Sequence, residues 1–179
     1  MLKKYQEYVE KTMDLDNIEL YGYIDSRIAA ATYWEGDEEF DLSSAQWYQE
    51  AQAAGGDIIY TDVYTDIRLQ RQVVTIAKEL EGSRDVIALD VYLDGISIPD
   101  SMSDLPDGCN YFLCDQGGTL IDNYLSAGRY ENLQERFRRI FQEIQERKHE
   151  SYDSYIIGID GEKRGVYYYV LDSGWYTVI

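Results

Sequence analysis

Histidine is almost missing from this sequence. Its one copy, His149, falls at the end of an expected helix, so general-base chemistry by imidazole has little to work with. Cysteine is nearly as scarce. Cys109 and Cys114 flank one expected strand, NYFL. Five residues apart on a strand, they point to opposite faces and lie too far apart to bridge. With one histidine beside them they are also too few for a zinc site, so both are expected as free thiols and leave the redox compartment open. Basic residues are short as well: 16 Lys and Arg against 34 Asp and Glu, a formal charge of −18. Phosphate backbones demand a basic footprint, so nucleic acid is excluded as a partner, and direct docking on anionic lipid is disfavoured. No apolar run is long enough to span a bilayer. Met1-Leu2-Lys3-Lys4 has the positive start of a signal peptide, but Tyr5-Gln6-Glu7 follows where an apolar core should. The chain is expected to be soluble as it stands, or a piece cut from between membrane spans. It holds no nucleophile elbow, P-loop or dinucleotide fingerprint, and no His/Cys set spaced for a metal.

What is present is enough apolar residue for a packed core, 45%, and 18 tyrosines. Tyrosine offers a flat apolar body with a polar tip, suited to half-buried strands and binding surfaces. Leu2, Tyr5, Val9 and Met13 fall on one helical face, so a helix is expected over Leu2 to Met13. Strands are expected over Ile18 to Asp25 and Ile28 to Trp34, joined by a turn at Ser26-Arg27, with an acidic loop from Glu35 to Asp41. Further strands are expected over Val73 to Glu79 and Asp85 to Leu93. Gly95 to Gly108 contains both prolines and reads as a linker. The plan then restarts: strands at Asn110 to Asp115 and Thr119 to Asn123, a helix over Glu131 to Lys148, and strands at Ser154 to Ile159, Gly165 to Leu171 and Gly174 to Ile179. The helix carries Leu133, Phe137, Ile140, Phe141 and Ile144 on one face, a stripe expected to cover its own sheet. Each half is thus two strands, a helix and three strands, an α+β unit with an antiparallel sheet.

Two places carry candidate chemistry. The first is the stretch Gln46 to Asp66, QWYQEAQAAGGDIIYTDVYTD. Asp41, Ser43 or Ser44 is expected to cap a helix, Gly55-Gly56 to end it, and a strand to follow over Asp57 to Tyr64. Trp47 and Tyr48 then stand at a helix start, with Tyr64 and Asp66 on or just past the next strand, a set able to converge on one concavity. The plainer reading makes Trp47 and Tyr48 core anchors and Asp66 a turn residue. The second place is Asp90, inside the apolar run DVIALDVYL. An unpaired buried carboxylate is costly, so Asp90 either faces water at an edge or meets a donor or a cation.

The segments WYQEA, the Gly pair, YTDVYTD, VVTIAKEL and IALDVYLDGI, in that order, resemble the membrane-distal half of a double Cache domain, and GEKRGVYYYVLDSGWYTVI resembles the end of the membrane-proximal half. The resemblance covers nearly the whole chain from about Ile18. It implies two tandem PAS-like antiparallel-sheet units with an N-terminal helix: residues 1–17 as a helix remnant, 18–96 as a distal ligand-binding unit, 97–109 as a linker and 110–179 as a proximal unit. It also implies an extracytoplasmic sensor region of a bacterial sensor kinase, chemoreceptor or diguanylate cyclase, with no cofactor. The partners it implies are a small-molecule ligand and a second copy through the N-terminal helix, with membrane spans outside this chain. In family members that bind amino acids or amines, the ligand's amino group is held by residues matching Tyr64, Asp66 and Asp90, and the family's aromatic pair matches Trp47-Tyr48.

Two positions depart from the family pattern. Its amino-acid binders usually carry an Arg two residues before the Trp, gripping the ligand carboxylate; here Ala45 stands there. A Tyr is expected near Phe40, which has no hydroxyl. Alanine cannot replace a guanidinium's paired contacts, and a carboxylate left desolvated and unpaired costs about 1–3 kcal/mol. Arg68, Arg71 and Lys78, in or beside the turn, are expected at the rim of the site as surface charge, with rescue of anion binding by one of them as the alternative. The residues therefore point to a small amine or other cation, with Trp47, Tyr48 and Tyr64 each adding roughly 0.5–2 kcal/mol of cation–π attraction. Two other classes compete: a carboxylate-dependent hydrolase using Asp66 and Asp90, and a ligand-free interaction domain.

Overall fold

The computed structural model describes residues 1–13, 17–33, 41, 44–96, 105–126, 128–147 and 154–179. Phe40, most of the acidic loop and of the linker, and His149 lie outside the described residues. Two units divide the chain, Met1–Ile96 and Ser97–Ile179.

The first unit opens with α1 (Leu2–Met13). Then come β1 (Ile18–Ile24), β2 (Arg27–Ala30), α2 (Gln46–Ala54), β3 (Ile58–Tyr60), β4 (Tyr64–Thr65), β5 (Gln72–Glu79) and β6 (Val86–Tyr92). The sheet runs β2-β1-β6-β5-β3, with β4 also paired to β5, and all pairings are antiparallel. The last strand, β6, therefore lies in the middle. A polar side chain placed there is walled in by β1 and β5.

Local corrections to the sequence reading have physical causes. The β1–β2 turn falls on Asp25-Ser26, one residue earlier than expected, with φ of 52° and 63°. Two consecutive left-handed residues match the twist of a two-residue hairpin. α2 is capped by the backbone of Ala45 with no side-chain bond, while the Ser44 hydroxyl bonds the Asp41 carbonyl at 2.7 Å. Gly55 ends the helix in the left-handed conformation, φ 61°, as expected of a glycine.

The expected strand over Asp57 to Tyr64 is broken into β3 and β4. Tyr60 pairs with Ile76 and Tyr64 with Val73, four steps on one side against three on β5. That one extra residue is a bulge, and Thr61 fills the break by accepting the Thr75 N–H on its hydroxyl at 2.9 Å. Since side chains alternate with period two, the bulge inverts which residues face α2. Ile59 lies opposite Ala77 on that face, and after the bulge Tyr64 lies opposite Val73 on it too.

The second unit contains β7 (Asn110–Cys114), β8 (Leu120–Leu125), α3 (Leu133–Arg147), β9 (Ser154–Ile157), β10 (Lys163–Val166), β11 (Tyr168–Val170) and β12 (Tyr176–Val178). Its sheets are β11-β12-β7-β8 and β10-β9. The single strand expected over Gly165 to Leu171 is split, because the segment changes partners at Tyr167. That residue exchanges backbone bonds with Ile179 at 2.9 and 2.8 Å. The apolar stripe of α3 is core: Phe137, Ile140, Phe141 and Ile144 pack with Phe112, Cys114 and Val178. Gly118, at φ 79°, lies under Phe141, and any Cβ there would collide with the ring. Cys109 and Cys114 are both free thiols.

Candidate ligand-binding site

A cavity of about 250 Å³ opens in the first unit between the α2 face of the sheet and the turn after β4. Pockets for drug-sized molecules run larger, so this one suits a small metabolite. Four of the six residues singled out in the sequence line it: Trp47, Tyr64, Asp66 and Asp90.

Asp90 is 4% exposed and sits directly across β6 from Thr75 on β5 and Glu19 on β1. Its Oδ1 accepts a hydrogen bond from Thr75 Oγ1 at 2.6 Å and one from the Tyr21 hydroxyl at 2.8 Å. Thr75 spends its proton on Asp90, so the Tyr64 hydroxyl, 2.6 Å from Thr75 Oγ1, must be the donor in that contact. Both direct bonds land on one carboxylate oxygen. Among the described residues Oδ2 receives none, which leaves it for a guest.

Burial pushes the Asp90 carboxyl up to about 6, against the downward pull of the Thr75 and Tyr21 bonds. Burial, reinforced by the charge of Asp90, raises the Tyr21 and Tyr64 hydroxyls above the usual phenol range. Both phenols thus stay protonated and act as donors at any physiological pH.

Trp47, 5% exposed, meets Tyr21 edge to face, with ring centroids 5.2 Å apart. It is both core anchor and cavity wall. Tyr48, one residue further round the helix, does not line the cavity; its ring stands edge-on to Tyr23 and Trp47 at 5.3 and 5.9 Å. Asp66 serves its own turn, accepting the Leu69 N–H on Oδ1 at 2.5 Å, and also reaches the cavity wall. Phe40 lies outside the described residues.

The structure corrects the placement of the cations. Arg68 is no rim residue. Its side chain is 17% exposed, lines the cavity and pairs through Nη2 with Glu19 Oε2. Arg71 does stay in its turn, bonded to Asp94 and Asn17 and lying over the Tyr92 ring at 4.3 Å. Lys78 is exposed, next to Ala77 and so on the opposite face. Sequence reading missed Tyr21, Thr75 and Glu19, and placed Arg68 at the rim. Glu19 and Tyr21 share a strand face by the period of two, but only the register of β1 and β5 against β6 brings Glu19, Tyr21 and Thr75 beside Asp90. Ala45 lines the cavity as a bare methyl. Among the described residues, no group of His, Cys, Asp and Glu is arranged to hold a metal ion.

The first unit is thus an antiparallel sheet with a helix over it and a small acidic, ring-lined hollow. No family model matches the chain. The chain is 33% identical over 96 residues to the methyl-accepting chemotaxis protein McpB of Bacillus subtilis, and 32% identical over 101 residues to TlpB of the same organism. These matches span about half of this chain, 51% and 52%, but 14% of each relative. Among solved structures it matches the ligand-binding domain of the Campylobacter jejuni chemoreceptor Tlp3 in complex with 4-methylisoleucine. That match has a TM-score of 0.62 and 16% identity, over 96% of this chain and 67% of the other. It also matches that of the Pseudomonas fluorescens chemoreceptor CtaA in complex with L-alanine, at TM-score 0.57 and 20% identity, over 93% and 72%. The chain has the α+β, Cache-type fold of chemoreceptor ligand-binding domains, as the sequence resemblance led us to expect.

Proposed function

We propose that this chain is the extracytoplasmic sensor region of a bacterial transmembrane receptor, and that its first unit binds a small amine-containing ligand. The observation that carries this reading is Asp90: a carboxylate 4% exposed, in the central strand, on the wall of a cavity lined by Trp47, Tyr21 and Tyr64. An ammonium group there would meet the Asp90 charge among three aromatic side chains, away from water. The Tlp3 and CtaA domains, similar in fold, were solved with 4-methylisoleucine and L-alanine bound, which supports an amine-bearing guest. Residues 18–96 would be the membrane-distal, ligand-binding unit, 97–109 the linker and 110–179 the proximal unit. α1 would be the remnant of a longer helix through which two copies pair. No described helix is long and apolar enough to cross a membrane; on this reading the spans and the output domain lie elsewhere in the receptor. The likeness to chemotaxis proteins favours a methyl-accepting output over a kinase or cyclase.

The role is binding, not catalysis. Asp90 is held by two hydroxyl donors and Asp66 by its own turn, which suits a fixed receptor for charge. Ligand would shift the population between two arrangements of the receptor through its different affinity for each. Calorimetric titration of the chain with amines and amino acids tests the proposal. Binding that is lost in Asp90→Asn, with thermal unfolding still cooperative and the ligand recovered unchanged by mass spectrometry, is expected. Binding that survives in Asp90→Asn would overturn it.

A further inference from the structure

We infer that Arg68 is the receptor for a carboxylate in the first-unit cavity and that Glu19 positions it, so that the site takes a small zwitterion in preference to a bare amine. This rests on the reading of Asp90 as the ammonium end. Glu19 and Asp90 are directly opposite each other on adjacent strands and are 7% and 4% exposed. Two neighbouring buried carboxylates repel, and a cation between or beside them relieves both. Arg68 supplies it, and the pairing with Glu19 keeps its guanidinium inside the cavity wall. Withdrawing it to solvent would leave Glu19 buried with only the long, 3.4 Å bond from the Tyr92 hydroxyl, a costly uncompensated charge.

The guanidinium has five N–H donors. Among the described residues its one partner is Glu19, reached through Nη2. Arg68 lines the hollow together with the apolar Ile28, Ala30 and Ala45 and the polar Gln46, Thr65 and Asp66. A bare amine at Asp90 would offer the guanidinium no anionic partner. A ligand with an ammonium at Asp90 and a carboxylate at Arg68 leaves neither end unmet, and it restores the anion contact that Ala45 cannot make. No other described residue competes for the role. Arg71 is committed to Asp94 and Asn17, and Lys78 is on the far face of the sheet.

The test is calorimetric titration of the whole chain with matched probes: L-alanine, L-valine and L-isoleucine, and the amine left when each loses its carboxylate. A charge-assisted contact predicts that at least one amino acid binds roughly 10- to 100-fold tighter than its own amine. In the double variant Glu19→Gln, Arg68→Gln, chosen so that neither charge is stranded, that ratio should fall to near one, with the unfolding midpoint reporting that the fold persists. A ratio near one in the natural sequence, or one retained in the double variant, would overturn the role of Arg68. Asp90→Asn separates the two readings. Loss of amines and amino acids alike supports the ammonium end whatever Arg68 does. Retention of both removes the ammonium end while the ratio still reports on Arg68. If no probe binds the natural sequence, both fall.

Discussion

The two units share a plan and differ in what lies between helix and sheet. In the second unit that space is filled by phenylalanine: Phe112, Phe137 and Phe141 lie with ring centroids 4.7 and 6.1 Å apart, and Gly118 gives up its side chain to seat one of them. In the first unit the corresponding layer is built from Ala45, Ala51, Ala77, Val86 and Ala88 under Trp47, and a cavity remains beside it. The buried carboxylates differ in the same way. Asp115, 1% exposed, accepts the Thr119 N–H of its own turn at 2.7 Å, a contact within the turn that needs no guest. Asp90 is held by side-chain hydroxyls from two other strands, both on Oδ1, and lies on a cavity wall. Side-chain volume and the source of the hydrogen-bond donors, more than topology, separate the filled unit from the one with a cavity.

That contrast can be broken at its extremes. Phe137→Ala should cost about 3–5 kcal/mol of stability through the cavity it leaves, seen as a lower denaturation midpoint, with ligand affinity unchanged wherever the protein is still folded. A loss of affinity equal to that of site variants would mean the second unit takes part in binding. Asp90→Asn should do the reverse. Affinity for an amine-bearing ligand should fall about 100-fold or more, since a desolvated ion pair is lost, while the ligand-free protein becomes more stable at pH 7. The direction of that change follows from the linkage. A carboxyl at about 6 in the fold, against 3.8 for an aspartate free in water, destabilises the folded protein by roughly 3 kcal/mol above pH 6. The folded state binds the extra proton between these values, so this cost is relieved as pH falls from about 6 to about 4. Comparing pH-dependent unfolding of the natural sequence with that of Asp90→Asn isolates it.

The same titration governs binding. Protonating Asp90 removes the counter-charge, so affinity for an amine should be flat above pH 6 and drop about tenfold per unit below it. Calorimetry from pH 4.5 to 7.5 reads this, and a flat profile would exclude Asp90 as the ammonium partner. The smallest effect sharpens the boundary of the site. Tyr48 packs on Tyr23 and Trp47 by ring edges, so Tyr48→Phe should move stability and affinity by less than about 0.5 kcal/mol. A large loss of affinity would put its hydroxyl in the binding path.

Much of the architecture was legible in the residues. The helical stripe from Leu133 to Ile144, the Gly55 stop and the oddity of an aspartate within DVIALDVYL are local signals, and the structure uses each as read. The bulge was not legible. Regular alternation from Ile59 would have put Val63 on the cavity face; one extra residue at Thr61 to Val63 puts Tyr64 there. The turn from Asp66 to Arg71 was equally opaque. It closes through the Asp66–Arg71 and Gln70–Asp66 backbone bonds, 2.8 and 2.9 Å, and sends Arg68 inward and Arg71 outward, though as free arginines the two are chemically alike.

Composition and order alone determined that this is an acidic, histidine-poor α+β chain of two similar halves, with a carboxylate in an apolar strand that had to find a partner, because charge and periodicity are properties of the chain before it folds. Which partners it found was decided only by tertiary structure. Tyr21, Thr75, Glu19 and Arg68 come near Asp90 through strand register and turn geometry between separate segments of the chain, and no local pattern encodes a register that is settled by the packing of the whole sheet.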